Sequence, residues 1–292
     1  MTTTRRRFLT LSASALAWPA LAAAPAQIWR GTAMGAAITL RLEGAGPVQA
    51  RSFFAEAERA LRQTEAAFSL HRESELARLN RTGLLRHPGA AMLALLDLSD
   101  RLYVATGGAF DPSVQPLWLA RAQGQPEDTA RGLVDWRQVS WDKARVRLGR
   151  RGMALTFNGV AQGWAADRLA QIAAAHDLAD LLIDSGEQRA LGARSWQAGV
   201  AGPDGVLLRR MVLRDRALAT SSAMGTRIGP RGERSHILDP RGARLPHGTV
   251  AVSAPRAALA DGLSTAFCVM DPAAIRLALT RFHGCQLEIL HG

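Results

Sequence analysis

Strand-like and helix-like runs interleave irregularly from residue 28 to residue 270, with no internal repeat and no linker between two halves. This ordering limits the fold more than any other feature. A doubly wound parallel sheet needs steady alternation of strand and helix, and a bundle or sandwich needs runs of one kind. The pattern predicts an α+β architecture. Within 28–43, residues 36–42 alternate as a half-buried strand does, and short strands follow at 179–184, 190–201, 207–214 and 248–253. Val48, Phe53, Phe54, Ala57 and Leu61 recur at helical spacing through 47–66, and a second helix over 90–105 stops at Gly107-Gly108. The clearest helix is 160–176, where Ala161, Trp164, Ala165, Leu169 and Ile172 share a face, and another lies near 256–270. Residues 141–156 read as a hairpin turning at 149–152, with Val146 and Leu148 alternating with Arg145 and Arg147.

The 292 residues, 48% of them hydrophobic, suffice for a sizeable core. Arg5-Arg6-Arg7 precede Phe8-Leu9 and an alanine-rich run to Ala24, the plan of a signal peptide, and the segment resembles a twin-arginine export signal. Small-x-small exits end at Ala22 or Ala26. The reading is a signal peptide over 1–26, a mature domain over 27–292, and a soluble periplasmic product. No later run reaches the roughly 18 apolar residues of a transmembrane helix. The formal charge of +11 invites a nucleic-acid partner. Against it, Lys143 is the only lysine and the arginines are scattered without interleaved aromatics, so no nucleic acid is expected. Cys268 and Cys285 would meet an oxidising compartment, and their pairing is left open.

Four segments carry candidate chemistry. In Ala260-Asp261-Gly262-Leu263-Ser264-Thr265-Ala266, Asp261, Ser264 and Thr265 fall at i, i+3 and i+4 of a helix, so three hard oxygen donors share one face and suit Mg²⁺ or Ca²⁺. The plain alternative is an N-capping aspartate beside two ordinary hydroxyls. His236, just before the Asp239-Pro240-Arg241-Gly242 turn, is a candidate general base. Asn158-Gly159-Val160-Ala161-Gln162-Gly163 opens the best helix with small residues, where free N–H groups can meet an anion. Gly107-Gly108-Ala109-Phe110-Asp111-Pro112 reads by itself as a helix exit and loop. No G-x-S-x-G, H-E-x-x-H or C-x-x-C motif is present, which excludes the hydrolase elbow, zincin and thioredoxin classes.

Taken in order, the motifs resemble the ApbE family of flavin transferases. They are Met34-Gly35, Ser69-Leu70-His71 with Ser74-Glu75 and Leu79-Asn80, Gly107 to Pro112, and Gly159-Val160-Ala161-Gln162-Gly163-Trp164-Ala165-Ala166-Asp167. Ser185-Gly186-Glu187, Ala219-Thr220-Ser221-Ser222, His236-Ile237-Leu238-Asp239-Pro240 and Ala260 to Ala266 complete the series. The resemblance implies an ApbE-like, T-fold-related α+β architecture of mixed or antiparallel sheets with packed helices. It also implies an FAD:protein FMN transferase, with FAD as bound substrate, Mg²⁺ or Ca²⁺ as cofactor, and AMP as product. The FMN acceptor would be a threonine or serine hydroxyl on an exported electron-transfer flavoprotein. By resemblance Gly159, Asp261, Ser264 and Thr265 hold the metal, and His236 and Asp261 are catalytic. Met34, His71, Ala109, Phe110, Asp111, Gln162 and Ile237 contact FAD. The chain departs from the family pattern at His71 for tyrosine, Thr156 for aspartate, Asn158 for glycine, Gln162 for lysine and Ser185-Gly186-Glu187 for Gly-Gly-Asp. Two alternatives stay in play: an FAD pyrophosphatase, in which water replaces the acceptor hydroxyl at the same site, and a non-catalytic periplasmic FAD-binding protein, which Thr156, Gln162 and Ser185-Gly186-Glu187 suggest.

Overall fold

The structure, a computed structural model, describes residues 26–243 and 245–292, so the signal-peptide expectation falls outside the described residues but for Ala26. In chain order the elements are β1 (Gln27–Ala33), β2 (Ala36–Glu43), α1 (Pro47–Phe68), α2 (Glu75–Thr82), β3 (Leu84–Arg86), α3 (Ala90–Ala105), α4 (Gln115–Gln123) and α5 (Asp128–Arg131). Next come β4 (Val139–Trp141), β5 (Arg145–Leu148), α6 (Ala161–Ala175), β6 (Asp180–Asp184), β7 (Gln188–Leu191), β8 (Trp196–Ala201), β9 (Leu207–Leu213) and β10 (Ala217–Ser222). The chain ends with β11 (Arg227–Ile228), β12 (Arg234–Ser235), β13 (Thr249–Ala254), α7 (Ala257–Phe267), α8 (Pro272–Leu279) and β14 (Gln286–His291).

A seven-stranded sheet in the order β1-β2-β6-β7-β10-β13-β14 is antiparallel at every pairing. Strand side chains alternate between the two faces, and each face has its own cover. Ala217, Ala219 and Ala254 join Ile38, Leu40 and Leu42 in a core shared with α1 and α6. Leu218 and Ala251, one residue out of step, pack instead with Trp196, Val200 and Leu213 of the β8–β9 hairpin. A third core joins α2, α3 and α7 to a small sheet in the order β3-β5-β4 through Leu79, Leu102, Val146, Phe157 and Phe267. The α+β expectation holds, with antiparallel pairing throughout.

The expected helices appear, that over 90–105 with its expected bounds. Two strand expectations need correction. The 141–156 hairpin turns earlier, between β4 and β5, because Asp142 Oδ1 accepts from the N–H groups of Ala144 at 2.7 Å and Arg145 at 2.9 Å and fixes a tight turn there. Leu155 lies beyond the 149–152 turn but pairs with no strand; the Asn80 side chain takes both its N–H and its C=O, at 2.7 and 2.8 Å. The 190–201 run divides into β7 and β8 around Gly192, whose φ of +92° only glycine adopts freely and where a Cβ would meet Ala179 O. The central strand β10 escaped the period-two reading because Ala217, Leu218 and Ala219 are buried in succession, on both faces. Cys268 and Cys285 are unpaired thiols.

Candidate active site

Helices α6 and α7 touch at backbone distance. A Cβ on Gly163 would lie 2.4 Å from Ala257 O, so no larger residue lets the helices meet. At this crossing each helix gives a carboxylate to the other's N-terminus. Asp167 of α6 accepts from Ala257 N at 2.7 Å and Ala258 N at 3.1 Å, while Asp261 of α7 accepts from Gly163 N at 3.1 Å. Both exchanges complement the positive end of a helix dipole and satisfy N–H groups that lack intrahelical partners. Asp261 therefore does not cap its own helix, and the Gly163 N–H, read from sequence as open to an anion, is held by the chain's own carboxylate.

Next to this crossing, α7 meets the end of β10. Ser221 Oγ lies 2.7 Å from Ser264 Oγ and 3.3 Å from Thr265 Oγ1, and Ser264 donates to Asp261 O at 3.0 Å. A hydroxyl has one proton to give. With that of Ser264 spent on Asp261 O, Ser221 donates to Ser264, and Thr265 is left to donate to Ser221. The chain runs Thr265 to Ser221 to Ser264 to the Asp261 carbonyl, leaving a Thr265 lone pair unengaged. Gly159 closes the group: a Cβ there would stand 3.0 Å from Thr265 Oγ1.

The electrostatics of this corner are unusual. Burial pushes the Asp261 carboxyl up to about 7, against the stabilising Gly163 N–H and with Asp167 adding repulsion. Burial likewise raises Glu187, and the charge of Asp261 raises it further. Its Oε2 is buried with no hydrogen-bond partner. Asp184, beside it in chain, is also raised by burial. Among the described residues no three His, Cys, Asp or Glu side chains are arranged to hold a metal ion. Three hydroxyls converge, and the Asp261 carboxylate belongs to the helical turn of α7 just before Thr265; all are hard oxygens, next to buried acids whose ionisation a divalent cation would favour. By chemistry and by the Gly159 cradle the residues present fit Mg²⁺ or Ca²⁺.

Gln162 approaches the β6–β7 turn, its Oε1 3.6 Å from where a Gly186 Cβ would be. Ala109, Phe110 and Ile237 are buried in the core that contains Val160, Ala161 and Leu263. Asp111 caps the turn that follows it, accepting from Ser113 N at 2.8 Å and Ser113 Oγ at 2.6 Å, and burial raises its carboxyl. It borders a cavity of about 180 Å³ shared with Gly107, Gly108, Pro240 and Arg241, which brings the Gly-Gly loop and the His236 segment to one opening. His236 is half-buried, and its Nδ1 lies 2.9 Å from Thr226 O. A carbonyl only accepts, so Nδ1 carries the proton and Nε2 is the basic nitrogen. Burial pulls the ring below its ordinary value of 6.5, so it is neutral at pH 7.

Met34 and His71 are held differently. Met34 occupies the β1–β2 turn with φ +50°, its N–H bonded to Glu65 at 2.8 Å and its side chain against two of the cores. His71 is exposed in the turn after α1, its N–H on Ser69 Oγ at 3.2 Å, and it makes no contact with the oxygen cluster. Sequence reasoning assigned no role to Ser221 or Asp167. Both lie inside quoted motifs, the Ala-Thr-Ser-Ser run and the end of the Gly159 helix segment, so the signal was present without a partner to interpret it.

Comparison with known proteins agrees with the motif order. The ApbE family model matches residues 34–288. A protein of Treponema pallidum (strain Nichols) named FAD:protein FMN transferase is 29% identical over 254 residues, 72% of this chain and 69% of that one. The apo flavinyl transferase ApbE of Pseudomonas stutzeri superposes with a TM-score of 0.77 at 24% identity, over 89% of this chain and 90% of the other. The ApbE protein of Thermotoga maritima gives 0.79 at 24% identity, over 90% and 93%. The flavin transferase ApbE of Vibrio cholerae gives 0.74 at 22%, over 87% and 91%.

Proposed function

The chain belongs to the ApbE family, and from that premise we propose that it is an FAD:protein FMN transferase that splits FAD, releases AMP and leaves FMN on a threonine or serine hydroxyl of an acceptor flavoprotein. The observation that carries this reading is the meeting of Asp261, Ser264 and Thr265 with Gly159 where α6, α7 and β10 converge. Asp261, the hydroxyls of Ser264 and Thr265 and the Gly159 carbonyl would hold a divalent cation, which supplies charge neutralisation for the diphosphate. Ser221 orients the two hydroxyls through its bonds to both.

His236 supplies the base. With its proton fixed on Nδ1 by Thr226 O, Nε2 is the nitrogen that would take the proton of the acceptor hydroxyl, and burial keeps the ring neutral near pH 7. Met34, His71, Ala109, Phe110, Asp111, Gln162 and Ile237 contact FAD in this reading, with Asp111 and the Gly107-Gly108 turn at the cavity mouth. The domain extends over 27–292, and residues 1–26 direct the chain through twin-arginine export to the periplasm, where exported electron-transfer flavoproteins are the acceptors.

The test is intact mass measurement of an acceptor flavoprotein domain incubated with the protein, FAD and Mg²⁺. An added FMN on threonine or serine, lost in folded His236→Ala and Asp261→Ala variants, is the expected result. AMP release with an unmodified acceptor would identify a pyrophosphatase, and FAD binding without AMP release, indifferent to Asp261→Ala, a binding protein.

A further inference from the structure

The small β3-β5-β4 sheet buries Leu85 and Val146 on one face and turns Arg145 and Arg147 outward from β5. Beside it runs a groove of about 590 Å³ lined by Arg81, Arg145, Arg147, Arg150 and Arg151, with no acidic and no aromatic side chain among its lining residues. Arg81 is paired with Glu73 and Arg150 with Asp135. Among the described residues no carboxylate lies within ion-pair distance of Arg145, Arg147 or Arg151. The nearby Asp142 spends its Oδ1 on the turn. Moreover Arg86 of β3 sits directly opposite Arg145 in the antiparallel register, a like-charge cross-strand pair that works against folding. An anion bound there would relieve that repulsion.

We propose that this groove docks an acidic, extended segment of the acceptor protein; the inference rests on the transferase reading and adds where the acceptor is recognised. Arg145 and Arg147 stand two residues apart on one face of a strand, about 6.7 Å, the repeat at which an extended chain presents alternate carboxylates. Arginine rather than lysine supplies the charge, and its planar fork suits bidentate carboxylate recognition. A concave groove does not conform to a flat bilayer, and the lack of aromatics leaves nucleic-acid bases nothing to stack on. The groove is joined to the site along the chain. Met153 and Asn80 line it, Asn80 clamps Leu155, and the six residue-to-residue steps from Met153 to Gly159 span at most roughly 22 Å, within reach of one acceptor domain.

The experiment uses a fluorescein-labelled peptide of about ten residues with glutamate at alternate positions, its glutamine counterpart, and vesicles of equimolar phosphatidylglycerol and phosphatidylcholine. The glutamate peptide should bind and the glutamine peptide should not. The triple variant R145Q/R147Q/R151Q should lose at least about tenfold in affinity, and R145K/R147K/R151K, which keeps the charge but not the bidentate fork, should fall between it and the wild type. With a purified acceptor domain, the glutamine triple variant should raise the acceptor KM about tenfold with kcat unchanged, since it touches docking and not chemistry. Peptide affinity or acceptor KM indifferent to the triple substitution overturns the proposal, as does binding of vesicles without binding of the glutamate peptide. AMP release from FAD is followed in parallel. Its absence from the wild type would strike the transferase reading, while peptide binding still decides the groove.

Discussion

Charge is handled in opposite ways at the α6–α7 crossing and on the β3-β5-β4 sheet. The crossing buries Asp167, Glu187 and Asp261 and stabilises two of them with helix N-termini. The sheet carries arginines in the open, three of those lining its groove without an ion-pair partner among the described residues. In the interior an unmatched charge shifts its own protonation, as Asp261 does, whereas at the surface water and salt screen it and its protonation is fixed. The first region thus couples stability to pH. The second can hold its charge for a partner at little cost to the fold.

The comparison is tested most severely at Gly163. Gly163→Ala places a methyl 2.4 Å from Ala257 O, a backbone atom that cannot rotate away, and displaces Asp261 from its N–H. It should cost about 3 kcal/mol and abolish transfer, whereas Arg147→Ala on the sheet should stay within about 0.5 kcal/mol of wild type. Denaturant unfolding of both measures the contrast, and equal losses would erase it.

A second test reads the pH coupling. The Asp261 carboxyl moves from an ordinary 3.8 to about 7, so the folded chain binds this proton more tightly than the unfolded one. Its contribution is complete below the ordinary value and disappears as pH rises through about 7. In chelator the wild-type Tm should fall between about pH 4 and pH 8, and Asp261→Asn, which keeps an acceptor for Gly163 N, should flatten that fall. Mg²⁺ or Ca²⁺ should raise the wild-type Tm above neutral pH and leave the Asn variant unmoved. A wild-type profile as flat as the variant's would show that burial does not perturb this group.

Ser221→Ala should have a smaller effect. It removes the middle of the Thr265–Ser221–Ser264 relay and costs about 1 kcal/mol of stability, with transfer reduced about tenfold because Thr265 loses its orientation. Thermal melts and initial rates separate the two effects. Unaltered rates would mean that β10 adds nothing to the α7 hydroxyls.

Which parts were legible follows from the distance over which each signal acts. Asp261, Ser264 and Thr265 were readable together because one helix sets their spacing. Ser221 lies 43 residues from Ser264 in sequence, and only the packing of β10 against α7 brings the two within 2.7 Å. The Asp167–Asp261 exchange was likewise invisible, because each residue looked like an ordinary member of its own helix until the close approach at Gly163 gave it a second helix to cap. Alternation revealed β2, which has a single buried face, and missed β10, which has two. The arginine face of β5 was read as a pattern, but its opposition to Arg86 depends on a register that the sequence does not state.

That register yields the smallest and most specific test. Arg86→Glu converts the like-charge pair with Arg145 into an opposite one, and should stabilise the fold by about 0.5 kcal/mol at low salt. The gain should vanish near 1 M salt, where the Debye length shrinks to about 3 Å and exposed pairs stop sensing each other. A salt-independent gain would point to strand propensity instead, and a loss would mean that the two arginines already share an anion that the glutamate expels. In either case the melt, run with and without the glutamate peptide, separates an electrostatic tension held in the sheet from one already relieved.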